Sequence, residues 1–162
     1  MKRSRSFTVA LLFLFLMAGC GTTSQFVRVP DQSRVVEDEG KGRIYVIGRP
    51  FAINIPSHNV NMRVTDDGER IGSIVGRGYL CWERAPGIAM IASEPASSPY
   101  GSVITLPVER GKAHYVFAHI GPKWSVWMFL VPGGGDLAVR LEVVTEDRGK
   151  AALARSNPPE QK

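Results

Sequence analysis

Cysteine is nearly absent: Cys20 and Cys81 are the two cysteines in 162 residues. A disulfide-stapled scaffold is therefore excluded, and stability has to come from packing. No repeat with a period of 20–50 residues is visible, which excludes a solenoid or a propeller. Long apolar runs are missing too. The longest, Phe7 to Met17, has about 11 residues, against the roughly 20 that a helix needs to cross hydrocarbon. Histidine is scarce, with His58, His114 and His119 only. The last two are five apart on one expected strand and so point to opposite faces, which leaves no converging metal site.

Charge of one sign is also lacking. Of the 20 basic residues, Lys2, Arg3 and Arg5 precede Cys20, and none of the 15 acids does, so the formal +5 falls to +2 from Cys20 onward. No basic patch interleaved with aromatics occurs, so nucleic acid is not an expected partner. Catalytic patterns are missing as well. There is no Gly-x-Ser-x-Gly elbow, and nothing selects Glu69, Glu83 or Glu109 as a carboxylate pair. The glycines at 133–135 follow a proline and precede a strand pattern, so they read as a hairpin loop rather than a phosphate cradle. The expectation is a non-enzyme with no cofactor, no metal and no catalytic residue.

What is present begins with the first twenty residues. Three positive charges, a short apolar run and Ala18-Gly19-Cys20 follow the order of a secretory signal. Leu16-Met17-Ala18-Gly19-Cys20 resembles the lipobox of bacterial lipoproteins, with Met17 where leucine is more usual. That resemblance implies a cleaved signal over 1–19 and lipid on Cys20, with the membrane as partner. Two or three acyl chains give a stable attachment where one is marginal. Gly21 rather than aspartate after the cysteine implies the outer membrane, with the domain facing the periplasm.

Residues 20–39 are expected to form a flexible tether, in which Phe26, Val27 and Val29 could dock on the domain. Over 40–155 the pattern becomes short alternating runs punctuated by Gly, Pro and Asp, the mark of antiparallel sheet. Val60, Met62 and Val64 alternate with Asn61, Arg63 and Thr65, and Asp66-Asp67-Gly68 supplies a hairpin turn into 69–75. Further runs are 43–49, 78–84, 88–93, 102–109, 113–121, 124–131 and 137–143. Thr145 is a candidate N-cap for a short helix, with Glu146 and Asp147 suited to the positive end of its dipole. A disordered tail is expected over 156–162. The fold class expected is mainly β: a single antiparallel β-sandwich of 7–8 strands, prealbumin- or immunoglobulin-like, with one short C-terminal helix.

The stretches GKGRIYVIGRP (40–50), DDGERIGSI (66–74), GYLCWERAPG (78–87) and VERGKAHYVFAHI (108–120) occur in an order that resembles the bacterial lipoproteins grouped as domain of unknown function 2846. The resemblance spans about 40–150 and extends to small PEGA-type sandwiches. It implies a compact β-sandwich in the envelope and carries no catalytic residues. The run 124–135 departs from the pattern.

Trp124 to Val131 has two readings: a central strand buried on both faces, or a platform in which Ser125, Trp127 and Phe129 face a partner. Tyr79, Trp82 and Tyr100 read as packing groups, and Cys81 as a small buried hydrophobe. The functional expectation is an envelope interaction module that binds another envelope protein. The alternative is a glycan- or peptidoglycan-binding module using the same aromatics, and a hydrolase comes a distant third.

Overall fold

The computed structural model describes residues 22–50, 60–122 and 137–162. In chain order the elements are β1 (Ser24–Gln25), β2 (Gly42–Pro50), β3 (Asn61–Asp66), β4 (Glu69–Val75), β5 (Tyr79–Arg84) and β6 (Gly87–Pro95). They continue with β7 (Ser102–Val108), β8 (Ala113–Pro122), β9 (Leu137–Val144), helix α1 (Glu146–Leu153) and β10 (Glu160–Gln161). Alternation decides which side of each strand is buried. In β3, Met62, Val64 and Asp66 are buried while Asn61 and Arg63 are exposed. Asp67 and Gly68, at φ 49° and 86°, then make the left-handed turn that returns the chain as β4.

The strands form a six-stranded sheet, in the order β10-β1-β4-β3-β6-β7, and a four-stranded sheet, β5-β2-β8-β9. Apolar side chains from both sheets meet between them. Ile44, Val46, Leu80, Val116 and Leu141 come from one, and Met62, Val64, Ile74, Ile91 and Leu106 from the other. Along one side the layers are tied directly: the Val139 N–H donates to the Tyr100 carbonyl at 3.1 Å, and the Leu141 N–H to Ser102 Oγ at 3.2 Å.

The mainly-β class agrees with the sequence, but the single antiparallel sandwich does not. Both sheets are mixed. β2 and β8 run parallel from Arg43↔Ala113 to Pro50↔Ile120, and β1 runs parallel to β10. The physical reason is that alternation sets a strand's faces and says nothing of its neighbour's direction. Hairpins make antiparallel pairs visible locally, whereas a parallel pair joins strands far apart in sequence and has no local signal.

The four-stranded sheet has a second apolar layer on its outer face, built from Tyr45, Ile47, Tyr79, Cys81, Tyr115, Phe117 and Val144. The Tyr45 and Tyr115 rings stack with centroids 5.1 Å apart. Helix α1 lies on this layer, buried through Gly149 and Ala152. The approach is so close that a Cβ on Gly149 would stand 2.1 Å from the Tyr115 ring. Thr145 does precede the helix, but its hydroxyl makes no capping hydrogen bond; the acids Glu146 and Asp147 occupy the first turn.

Two segments depart from their expected disorder. Residues 22–40, read as a tether, are a folded strap. Thr23, Ser24 and Gln25 are buried, and Gln25 is wholly enclosed. Its amide continues the open edge of β5: Oε1 accepts the Cys81 N–H at 2.9 Å, and Nε2 donates to the Cys81 carbonyl at 2.6 Å. Further on, the strap is pinned by Arg43, whose guanidinium is fully buried. Its Nε and Nη2 donate to Glu83 Oε1 at 3.0 and 2.7 Å, and Nη1 and Nη2 donate to the carbonyls of Arg34 and Asp31 at 2.8 and 2.7 Å. Glu83 in turn accepts the N–H groups of Glu37 and Asp38 at 2.6 and 3.1 Å. The C-terminal tail is also paired, since the Glu160 N–H donates to the Thr23 carbonyl at 2.8 Å and the Lys162 N–H to the Gln25 carbonyl at 2.9 Å. Polar composition suggested disorder because main-chain pairing to an exposed edge needs no apolar side chains.

Candidate functional site

The two outer faces of the sandwich differ. One is covered by α1 and the later part of the strap; the other, on the six-stranded sheet, carries no helix among the described residues and meets the strap only at Phe26. On that second face each outward side chain can be assigned from the register. Thr65 lies opposite Arg70 on β4 and Ala92 on β6, and Ala92 lies opposite Val103 on β7. This row of small groups is the floor of an open groove of about 490 Å³. The neighbouring row supplies its wall, where Arg63 faces Glu94 across β3 and β6 in an ion pair at 3.0 Å. The guanidinium of Arg70 sits 4.5 Å from the centroid of the Phe26 ring. Pro99 and Gly101 close the end.

Along β6 and β7 the groove opens onto an apolar shelf. Ile88, Met90 and Val103 are 66%, 49% and 60% exposed. Ile88 lies opposite Pro107, which is exposed on the outermost strand of this sheet. Proline there withholds an N–H donor from the edge, a common guard against indiscriminate strand addition. What this face offers is therefore side chains: apolar groups along the shelf and charge at Arg63, Arg70 and Glu94. These groups suit a protein surface presenting apolar side chains beside a carboxylate.

Several residues singled out in the sequence have other occupations. Trp82 is buried and its Nε1–H donates to Asp66 Oδ2 at 2.8 Å; Arg84 forms an ion pair with the same carboxylate. Tyr79 is buried with its hydroxyl bonded to Gln32 at 2.8 Å, while Tyr100 is partly exposed. Glu83 pins the strap, and Glu109 pairs with Lys112 at 2.6 Å. His114 Nε2 accepts the Glu109 N–H at 3.0 Å, and burial holds this ring below the usual histidine range. His119 meets Glu142 at 2.9 Å. The two histidines do point to opposite faces. Cys81 is buried without a disulfide, and burial pushes its thiol up to about 12, so the reactive thiolate is suppressed. Among the described residues, no group of His, Cys, Asp and Glu could hold a metal ion.

Cys20, His58 and the candidate surface Ser125, Trp127 and Phe129 lie outside the described residues, as does all of Trp124–Val131. β8 and β9 are direct neighbours up to Pro122↔Leu137, so residues 123–136 join adjacent strands. The shelf of Ile88, Met90 and Val103 was not anticipated. Its signal was present: Ile88, Ala89, Met90, Ile91 and Ala92 form a strand apolar on both faces. Such a run belongs either to a doubly covered strand or to one with an apolar outer face. Compared with known protein families, curated proteins and solved structures, the chain matches none.

Proposed function

We propose that this protein is a lipid-anchored envelope lipoprotein whose domain is a non-catalytic interaction module. In this reading Cys20 carries the lipid in the outer membrane, the domain faces the periplasm, and another envelope protein docks on the outer face of the six-stranded sheet. The observation that carries it is the asymmetry between the faces. The chain lays a helix and part of its N-terminal strap over one outer layer, yet leaves Ile88, Met90 and Val103 exposed on the other. Apolar side chains of that size, rimmed by arginines, are the composition of a protein-binding patch. The motif order over 40–120 resembles that of lipoproteins of domain of unknown function 2846, and the resemblance implies an envelope location.

The test is photo-crosslinking in intact cells from a benzophenone side chain placed at Met90, with Lys150 on the helix as the control position. Discrete protein adducts from Met90 and none from Lys150 are the expected result. Equal or absent adducts from the two positions would remove the assignment of the face. Retention of the unlipidated domain on purified peptidoglycan, with no protein adduct, would favour the glycan-binding alternative instead.

A further inference from the structure

The strap determines more than stability, because it decides where the anchored end of the chain leaves the domain. β4 runs from Glu69 to Val75, and β1 runs against it, with Ser24 opposite Ser73 and Gln25 opposite Gly72. The chain ahead of Ser24 therefore exits past Val75. It is held there by Thr23, whose hydroxyl accepts the Val75 N–H at 3.0 Å and lies against Gly78 so tightly that a Cβ on that glycine would stand 1.8 Å away. Only Gly21 and Thr22 separate buried Thr23 from Cys20. Three residue steps reach at most about 11 Å, so no long spacer lies between lipid and domain.

The end of the sandwich around that exit is also distinct in charge. It contains the Gly76–Gly78 turn, the start of β3 and the 96–101 loop, joined by the Ala96 N–H to the Asn61 carbonyl at 2.8 Å. Arg77 and Arg155 are exposed there, and Arg49 and Arg140 flank His119 in one row of the four-stranded sheet close by. Among the described residues the acids at this end are Glu94, in an ion pair with Arg63, and Glu160, which accepts the Thr22 hydroxyl at 3.0 Å and keeps its charge. At the opposite end Asp67, Glu69, Glu109, Glu146 and Asp147 gather around the turns, three of them in ion pairs: Asp67 with Arg84 at 2.9 Å, Glu109 with Lys112 at 2.6 Å and Glu146 with Lys150 at 2.6 Å.

From the exit point and this polarity we infer that the domain stands directly on an anionic lipid surface, with the Gly76–Gly78 and 96–101 loops toward the headgroups and the Asp67 turn away from them. The inference rests on the lipid-anchored reading of Cys20 and replaces a swinging tether with a fixed posture. Cationic side chains facing the surface, Arg77 and Arg155 among them, are drawn to anionic headgroups. The groove and shelf then stand edge-on to the membrane, open to a partner approaching laterally.

The experiment uses the mature lipidated chain reconstituted in phosphatidylethanolamine–phosphatidylglycerol vesicles. A fluorophore is attached at S97C, in the loop near the exit, or at A85C, near the Asp67 turn; Cys81 is buried and does not compete for label. Headgroup-nitroxide lipid is expected to quench the S97C label several-fold more than the A85C label. The additional pair R77E and R155E should reduce that difference. Acyl mass on Cys20 with equal quenching at the two positions overturns the posture alone. A chain purified from cells with no acyl mass on Cys20 overturns the anchored reading and the posture together.

Discussion

The two outer faces of this sandwich use similar strands for opposite ends. On the four-stranded sheet, the described outward tyrosines and phenylalanine are covered: Tyr115 by Gly149 of the helix, Tyr79 by Gln32 of the strap, Tyr45 by its stack with Tyr115 and the Arg43 guanidinium, and Phe117 by the guanidinium groups of Arg49 and Arg148 at 5.0 and 5.5 Å. On the six-stranded sheet, Ile88, Met90 and Val103 face outward with no such roof among the described residues. The difference teaches that an outward apolar side chain is not informative by its type alone. What matters is whether the chain provides a lid and what polar groups fasten it.

The comparison is broken most severely at the fastening. With R43A, the Glu83 carboxylate stays buried beside the strap without its cation, and the carbonyls of Asp31 and Arg34 lose their donors. Removing one partner of a buried ion pair costs about 3–5 kcal/mol. Urea unfolding should record that loss, with faster proteolysis at Arg28 and Arg34; a loss below about 1 kcal/mol would reduce Arg43 to an ordinary surface-like contact.

A smaller effect is expected under the helix. In an exposed helix, Gly→Ala stabilises by about 1 kcal/mol. In G149A the added methyl meets the Tyr115 ring, so the sign should invert to a destabilisation of about 1–3 kcal/mol. Thermal unfolding followed by near-ultraviolet circular dichroism of the tyrosines checks this, and a stabilised variant would mean the helix does not press on the sheet.

The smallest effect belongs to the bare face. V103K and I88K should each change unfolding free energy by no more than about 0.5 kcal/mol, as for surface positions, while abolishing adducts from Met90. A loss above about 1 kcal/mol in the isolated protein would reveal that another part of the chain covers the shelf.

How much of this was legible in the sequence depends on the kind of interaction involved. The hairpin at Asp66–Gly68 was legible because two adjacent residues with left-handed φ separate two alternating runs. The run over 113–121 was legible as a strand as well, and in it Val116, Ala118 and Ile120 enter the core between the sheets while Tyr115 and Phe117 lie on the outer layer. The groove was not legible, because its floor combines Thr65, Ala92 and Val103 from three strands, and only their register makes the three adjacent. Arg43 opens the run 43–49, and nothing in that run marks it as buried. Its burial depends on Glu83 and on carbonyls of a segment whose polarity suggested freedom.

The amino-acid sequence by itself determined the positions of β2 to β9, their inward faces, the turn chemistry, the short helix and the absence of a disulfide framework. These follow from side-chain period and local backbone preference, which act over a few residues. The tertiary structure alone decided the parallel pairing of β2 with β8, the conversion of residues 22–40 from expected tether to strap, and which outer face is left open. Those outcomes depend on main-chain groups and buried charges meeting across long sequence separations, where no single segment carries the pattern.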